Sequence, residues 1–165
     1  MPVRSFLMNI LKVVEYNIWA HRLMGKQIES LPPALFEKDH GGSFGSIKAT
    51  IVHLLESDWL WMKRFKGIPL ADLPAWHFEQ ATHVYKEWWP IQDEIVDFAE
   101  REAGNLTKKI SFITRKGVPY ESPLEDLLMH ITNHGTYHRG QLAHMVRVVG
   151  LQPVSTDYFI YCAQP

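Results

Sequence analysis

The residues that decide the fold are 124–149, LEDLLMHITNHGTYHRGQLAHMVRVV, in a chain of 165 residues. Their apolar side chains recur at steps of three and four residues, the spacing that places them on one face of an α-helix. The members of this face are Leu124, Leu127, Leu128, Ile131, Leu142, Met145 and Val149. The pattern predicts a long amphipathic helix that buries this face and ends at Gly150.

Two histidines lie within the same face, where the pattern favours apolar side chains. His138 falls near its centre, and His134 lies one turn earlier. Burying an imidazole without a partner costs on the order of a few kcal/mol, so each ring needs a group to bind. Side chains four residues apart on a helix lie about 5–6 Å apart, and both rings could therefore bind one divalent metal ion. The alternative is a pair of buried histidines with ordinary hydrogen bonds, but the spacing favours the metal site.

A third histidine, His130, lies one turn before His134, so spacing alone allows the pair 130/134 as well as 134/138. Since His130 and His138 would stand about 12 Å apart along the helix axis, one ion cannot easily bind all three rings. The pair 134/138 is the more central, which places His130 beside the ligands. Gln141 lies on the His134 side of the helix and could orient a water bound to the metal.

Three further segments show helical periodicity: residues 5–30, 46–66 and 79–102. Pro90 lies inside the last of them and is expected to kink or split that helix. Residues 109–121 have the short apolar runs and the Lys-Gly turn of a β-hairpin, and Ser122 is predicted to cap the final helix. Four long helices with apolar faces and one short hairpin predict an all-α four-helix bundle, with residues 1–165 in a single domain.

A metal bound by two histidines of one helix needs further ligands from neighbouring helices. The first helix offers Asn17 and His21, both central in its apolar face. The second helix offers His53, at the edge of a broader apolar face. Periodicity does not choose between His21 and His53, although it predicts His21 as the more deeply buried of the two.

Composition excludes several classes of function. The net charge is −1 with histidine neutral, so no global field attracts the protein to nucleic acid or to an anionic membrane. No apolar run approaches the roughly 18 residues that a membrane span needs. Cys162 is the only cysteine, which suits a reducing compartment, and the residues after Met1 lack the pattern of an export signal. These features predict a cytoplasmic protein.

Several segments resemble the DinB/YfiT-like family of bacterial metalloenzymes, and together they span essentially the whole chain. They are residues 16–21 (YNIWAH), 46–61 (SIKATIVHLLESDWLW), 133–141 (NHGTYHRGQ) and 156–158 (TDY). The resemblance implies a bundle of up-down-down-up topology that forms a homodimer. It also implies a nickel or zinc ion bound by His53, His134 and His138, with water in the open positions. His21 then takes a pocket role beside Asn17. The family commonly has asparagine at the position of His21, so a fourth imidazole could lie near the metal here.

The resemblance also implies a function. Characterised relatives include S-transferases and isomerases that use low-molecular-weight thiols, so the implied activity is metal-dependent thiol transfer on a small-molecule substrate. The implied alternative is a stress- or damage-inducible dimeric binding protein, whose metal is structural and which does not catalyse a reaction. A nucleic-acid-binding function is disfavoured by the near-neutral charge.

Overall fold

Six helices and two strands make up the structure, a computed structural model that describes residues 9–69 and 72–164. In chain order they are α1 (Ile10–Glu29), α2 (Pro33–Glu37), α3 (Ile47–Phe65), α4 (Ala81–Arg101), β1 (Lys109–Ile113), β2 (Pro119–Pro123), α5 (Leu124–Val148) and α6 (Tyr158–Cys162). A mainly helical chain with one hairpin is thus confirmed. The predicted start of the first helix at residue 5 lies outside the described residues. In the described ranges, no helix is long and apolar enough to cross a membrane.

The two helices that carry candidate residues from the first half of the chain begin at caps that their sequences encode. Asn9 caps α1 and Ser46 caps α3. Each side-chain oxygen accepts a hydrogen bond from the backbone N–H three residues later, at 3.3 and 3.1 Å respectively. Gly67 follows α3 with a φ of +65°, the left-handed conformation that glycine adopts without strain. The second long helix therefore has the predicted extent, and His53 lies on its second turn.

The α4 helix runs without a break through Pro90, so the predicted split does not occur. Proline removes one backbone hydrogen bond, but Pro90 lies on the exposed side of the helix. Trp88 before it and Ile95 after it are each 1% exposed. Burial of these side chains holds both halves of α4 against the core.

The predicted hairpin is confirmed, with β1 and β2 paired antiparallel. The predicted cap at Ser122 is wrong, because Ser122 pairs with Ile110 in the β-ladder and α5 begins two residues later. The backbone N–H groups of Leu124 and Glu125 instead donate to the carbonyl oxygens of Lys108 and Leu106, at 2.9 and 3.0 Å. The chain that leads into the hairpin thus replaces a side-chain cap at the start of α5.

The core consists of two apolar clusters separated by a polar layer. Both α1 and α3 pack against α4 and α5. One cluster contains Met24, Leu54 and Leu142, and the other contains Val14, Phe65 and Leu128. Between the two clusters along the helices lie buried polar side chains: Asn17, His21, Asp58, Gln92, His138 and Arg139. This layer lies about halfway along the four long helices and contains three of the residues that the sequence singles out: Asn17, His21 and His138.

The segment after α5 docks on α1. The Tyr16 hydroxyl donates to the carbonyl oxygen of Thr156 at 2.9 Å, and the backbone N–H of Val154 donates to the Gln27 side-chain oxygen at 2.9 Å. These contacts bring the last residues of the described chain back to the first helix.

Candidate metal centre

Three histidine side chains from two helices converge at the edge of the polar layer. The Nε2 atom of His134 on α5 lies 3.1 Å from the Nε2 atom of His138, one turn along the same helix. It also lies 3.1 Å from the Nε2 atom of His53 on α3. Within the described residues, this is the group of three or more metal-ligating side chains whose ligand atoms all lie within 4.8 Å of one another. We call it the histidine cluster.

The spacing in the histidine cluster fits a bound divalent ion. A zinc ion about 2.0–2.1 Å from each nitrogen, with tetrahedral angles, would separate the nitrogens by about 3.3–3.4 Å. The observed 3.1 Å separations need only a small expansion to reach this value. Three imidazoles also leave at least one coordination position for a water or another small molecule.

One ring of the cluster is oriented by a neighbouring amide. The Nδ1 atom of His138 lies 2.8 Å from the Oε1 atom of Gln141, so Nδ1–H donates and the lone pair stays on Nε2. The Gln141 amide nitrogen in turn donates to the Ser43 hydroxyl at 3.2 Å. The structure therefore places the Gln141 side chain on the ring of His138.

The electrostatics of the cluster keep two of its rings neutral. Burial lowers the pKa of His53 to about 4, with smaller contributions from His138 and Arg115. Burial likewise lowers the pKa of His134 to about 4, aided by the other imidazoles around it. Neutral imidazole is the form that binds a metal, so at neutral pH protons compete little for these two nitrogens.

An aromatic side chain that the sequence analysis missed covers the cluster. The ring of Phe44 stacks on His53 with centroids 4.3 Å apart, and its centroid lies 5.5 Å from that of His138. Phe44 belongs to the loop GGSFG at residues 41–45, in which three glycines have positive φ. This glycine-rich loop directly before α3 was the available signal, but a loop contact of this kind has no periodicity to reveal it.

His130 lies beside the cluster and outside it. Its ring is stacked near that of His134, with centroids 6.1 Å apart, and meets the ring of Trp61 edge-on at 5.3 Å. His130 therefore lies beside the histidine cluster, as the spacing predicted.

The structure separates His21 from the histidine cluster. A guanidinium nitrogen of Arg139, Nη1, donates to the Asn17 side-chain oxygen at 2.5 Å and to the Nε2 atom of His21 at 3.1 Å. Burial and the charge of Arg139 hold the pKa of His21 well below its usual value. The ring also packs 4.8 Å from that of Trp88. His21 is as deeply buried as the pattern predicted, but its Nε2 atom faces an arginine. Among the described residues, the group of ligand atoms that lie close together does not include His21.

Arg139 is a buried charge that the sequence analysis did not single out. It is 2% exposed, and the Thr136 hydroxyl accepts a further hydrogen bond from it at 2.9 Å. A compensating carboxylate lies in the same layer, because Asp58 is buried and accepts from the Trp88 indole N–H at 2.7 Å. Burial raises the pKa of Asp58 to about 6, against the opposing effects of its hydrogen bonds and of Arg139. We call Asn17, His21 and Arg139 the arginine network.

Comparisons with known proteins agree with the fold and with the resemblance of the motifs. The family model described as DinB family matches residues 1–164. Protein DinB of Bacillus subtilis (strain 168) is 29% identical over 158 residues, covering 91% of each chain. The uncharacterized protein YizA of the same organism is 22% identical, over 90% of this chain and 93% of its own. The crystal structure of a DinB-like protein from Bacillus cereus ATCC 10987 has a TM-score of 0.68 at 17% identity, covering 88% of this chain and 94% of that one.

Proposed function

The chain belongs to the DinB family, and we propose that it is a metal-dependent enzyme whose divalent ion is bound by His53, His134 and His138. The observation that carries this proposal is the convergence of the three Nε2 atoms, with His134 3.1 Å from each of the other two. Imidazole ligands suit nickel and zinc, which are the ions we propose.

The arrangement supports catalysis over a purely structural metal. Structural zinc sites are closed by four protein ligands, whereas catalytic sites keep a position open. The described residues supply three ligand atoms to the histidine cluster. A bound divalent ion with an open position would lower the pKa of a coordinated thiol or water. Here Gln141 fixes the ring of His138, and Phe44 covers the ring of His53.

We propose thiol transfer with a low-molecular-weight thiol as the reaction, in a cytoplasmic homodimer that binds neither nucleic acid nor membranes. The packing of α1 and α3 against α4 and α5 is compatible with the up-down-down-up order that the family resemblance implies. The alternative proposal, a stress-inducible binding protein with a structural metal, predicts a metal-dependent rise in melting temperature and no turnover.

The metal assignment is tested by elemental analysis and by zinc and nickel titration of the chelator-treated protein. We expect one ion per chain in the wild type and a loss of at least tenfold in affinity for His138→Ala, which removes one of three ligands. The matched control is His144→Ala, because His144 is an exposed histidine on the same helix. Wild-type protein without affinity for either ion, or equal affinity in the two variants, would refute the site.

The reaction is tested by incubating the metal-loaded protein with bacillithiol, mycothiol or glutathione and an electrophile such as monochlorobimane. We expect transfer with at least one thiol, and its loss both after chelation and in His138→Ala. Metal binding without transfer would favour the structural alternative. Transfer that survives chelation would refute metal-dependent catalysis.

A further inference from the structure

A cavity of about 560 Å³ lies between α3, α5 and the turn of the β-hairpin. Its lining includes His53, Trp61, Arg64, Arg115, Lys116 and His130. His53 belongs both to this cavity and to the histidine cluster, so a molecule in the cavity lies directly beside the candidate metal centre. The hairpin contributes the outer wall, through the turn between β1 and β2.

The lining of this cavity has an excess of positive charge. Arg64, Arg115 and Lys116 line it, against a single carboxylate, that of Glu56. In the described part of the chain, none of these three cations forms a salt bridge. Burial, and then the charge of Arg115, lower the pKa of Arg64. Like charges brought together without counter-ions favour binding of an anion.

The guanidinium of Arg64 packs against two aromatic rings. Its guanidinium lies 4.5 Å from the ring centroid of Trp61 and 4.5 Å from that of Phe112. Its Nε atom is buried and has no hydrogen-bond partner among the described residues. The two rings meet edge-on with centroids 5.2 Å apart, so the guanidinium packs against both from one side. A planar guanidinium packed in this way presents its N–H edge in a preferred direction, and that edge suits carboxylate or phosphate oxygens. Leu60, Trp61 and Val118 add apolar surface to the same cavity.

We propose that this cavity binds a small organic anion, with its carboxylate or phosphate held by Arg64 and Arg115 and its apolar part packed on Trp61. The reactive end of such a molecule then lies at the His53 side of the histidine cluster. This inference rests on the proposed function for the role of that cluster, and it names the substrate class as anionic. Anion binding itself depends only on the cavity.

The anion site is tested by calorimetric titration with 2-naphthoate and with 2-naphthamide, which differ in charge but little in shape. Metal-free and cobalt-loaded protein are both titrated. We expect naphthoate to bind about tenfold more tightly, equal to about 1.4 kcal/mol, and this preference to weaken as salt is raised. Equal affinities for the two probes, or binding of neither, would overturn the proposal.

Matched variants locate the binding. Arg115→Gln is expected to remove most of the preference for naphthoate, because Arg115 is exposed and its replacement does not disturb the core. Arg64→Lys keeps the charge but loses the planar edge, and it should weaken naphthoate binding several-fold. The control is Arg147→Gln, an exposed arginine of α5 outside the cavity lining. A preference that survives in Arg115→Gln, or that falls equally in Arg147→Gln, would overturn the assignment.

Proton relaxation separates failure of this inference from failure of the proposed function. A cobalt ion in the histidine cluster should shorten the relaxation times of bound naphthoate protons in the wild type. If the protein binds none of zinc, nickel and cobalt but still prefers naphthoate, the metal proposal fails and the anion site stands. If cobalt binds and naphthoate relaxation stays unchanged at saturation, the cavity is not the substrate site of the metal centre.

Discussion

Replacing Gly135 by alanine should destabilise the protein, although alanine is the better helix former. A Cβ at this position would lie 2.4 Å from the Asn17 side-chain oxygen and 2.6 Å from the Nε2 atom of His21. It would also lie 3.0 Å from the Nη1 atom of Arg139. Asn17 and His21 are 2% and 3% exposed, so neither side chain can swing into solvent to make room. The methyl group must therefore displace the acceptors of the arginine network.

The magnitude follows from the hydrogen bonds that are lost. Each bond from a charged donor is worth about 1.5–3 kcal/mol, so losing both costs about 3–6 kcal/mol. Alanine has a higher helix propensity than glycine, which offsets about 1 kcal/mol of this loss. Gly135→Ala should therefore lower the free energy of unfolding by about 2–5 kcal/mol, which for a chain of this size lowers the melting temperature by roughly 4–20 °C.

Gly140 provides the control, since it lies in the same helix and an added Cβ there meets no atom within 4 Å. Gly140→Ala should raise the free energy of unfolding by about 0.5–1 kcal/mol. Both variants are measured by urea unfolding followed by far-ultraviolet circular dichroism, on chelator-treated protein so that metal binding does not contribute. Wild-type stability or better in Gly135→Ala would refute the close approach of α1 and α5. A loss in Gly140→Ala as large as that in Gly135→Ala would show that the effect has nothing to do with the arginine network.

Two further predictions concern the histidine cluster. Gln141→Leu removes the acceptor for the His138 Nδ1–H. Because loss of such a partner typically weakens metal affinity about 10–100-fold, zinc binding should weaken by this factor in a chelator competition assay. Unchanged affinity would show that the amide does not orient the ring. Burial lowers the pKa of His53 and His134 to about 4, so between pH 4 and the ordinary value of 6.5 the unfolded chain binds more protons than the folded one. The stability of the metal-free protein should therefore fall as pH is lowered through this window. The raised pKa of Asp58, about 6, acts in the opposite direction, so the informative quantity is the difference between variants. His134→Gln should lose less stability than the wild type between pH 7 and pH 5 in urea unfolding, and an equal loss would contradict the assigned shift.

The sequence predicts the elements of this fold that have long periodic patterns. The apolar face of residues 124–149 identifies α5, and the short runs on either side of a Lys-Gly turn identify the hairpin. The five-residue helices α2 and α6 are too short to show a period, so pattern analysis does not find them. The cap of α5 is mispredicted because a backbone pairing between distant segments takes over the role of Ser122.

The candidate site likewise has a part that the sequence predicts and a part that it does not. Spacing within one helix predicts the approach of His134 and His138, and the structure brings their Nε2 atoms to 3.1 Å. Periodicity measures only how deeply a residue lies, so it correctly predicts His21 as buried but does not show which neighbour its ring meets. The ring of His21 meets the buried side chain of Arg139. Hydropathy patterns assign a charged side chain to solvent, so they do not predict this contact. Choosing His53 over His21 from sequence therefore needed the family resemblance.

The motif NHGTYHRGQ at residues 133–141 contains two interleaved pairs of residues four apart. His134 and His138 form one pair and meet His53 on α3. Gly135 and Arg139 form the other, and they face Asn17 and His21 on α1. Successive residues of a helix differ by about 100° in direction, so the second pair necessarily points to a different neighbour from the first. The same turn of α5 thus presents imidazoles to one helix and a guanidinium to another.

Because both pairs are carried by one helix backbone, any shift of α5 that relieves a clash at Gly135 must also move the histidines relative to α3. We therefore expect the arginine network to position the histidine cluster. Gly135→Ala should weaken zinc binding in the chelator competition assay although it replaces no ligand, and unchanged affinity would show that the network and the cluster are independent.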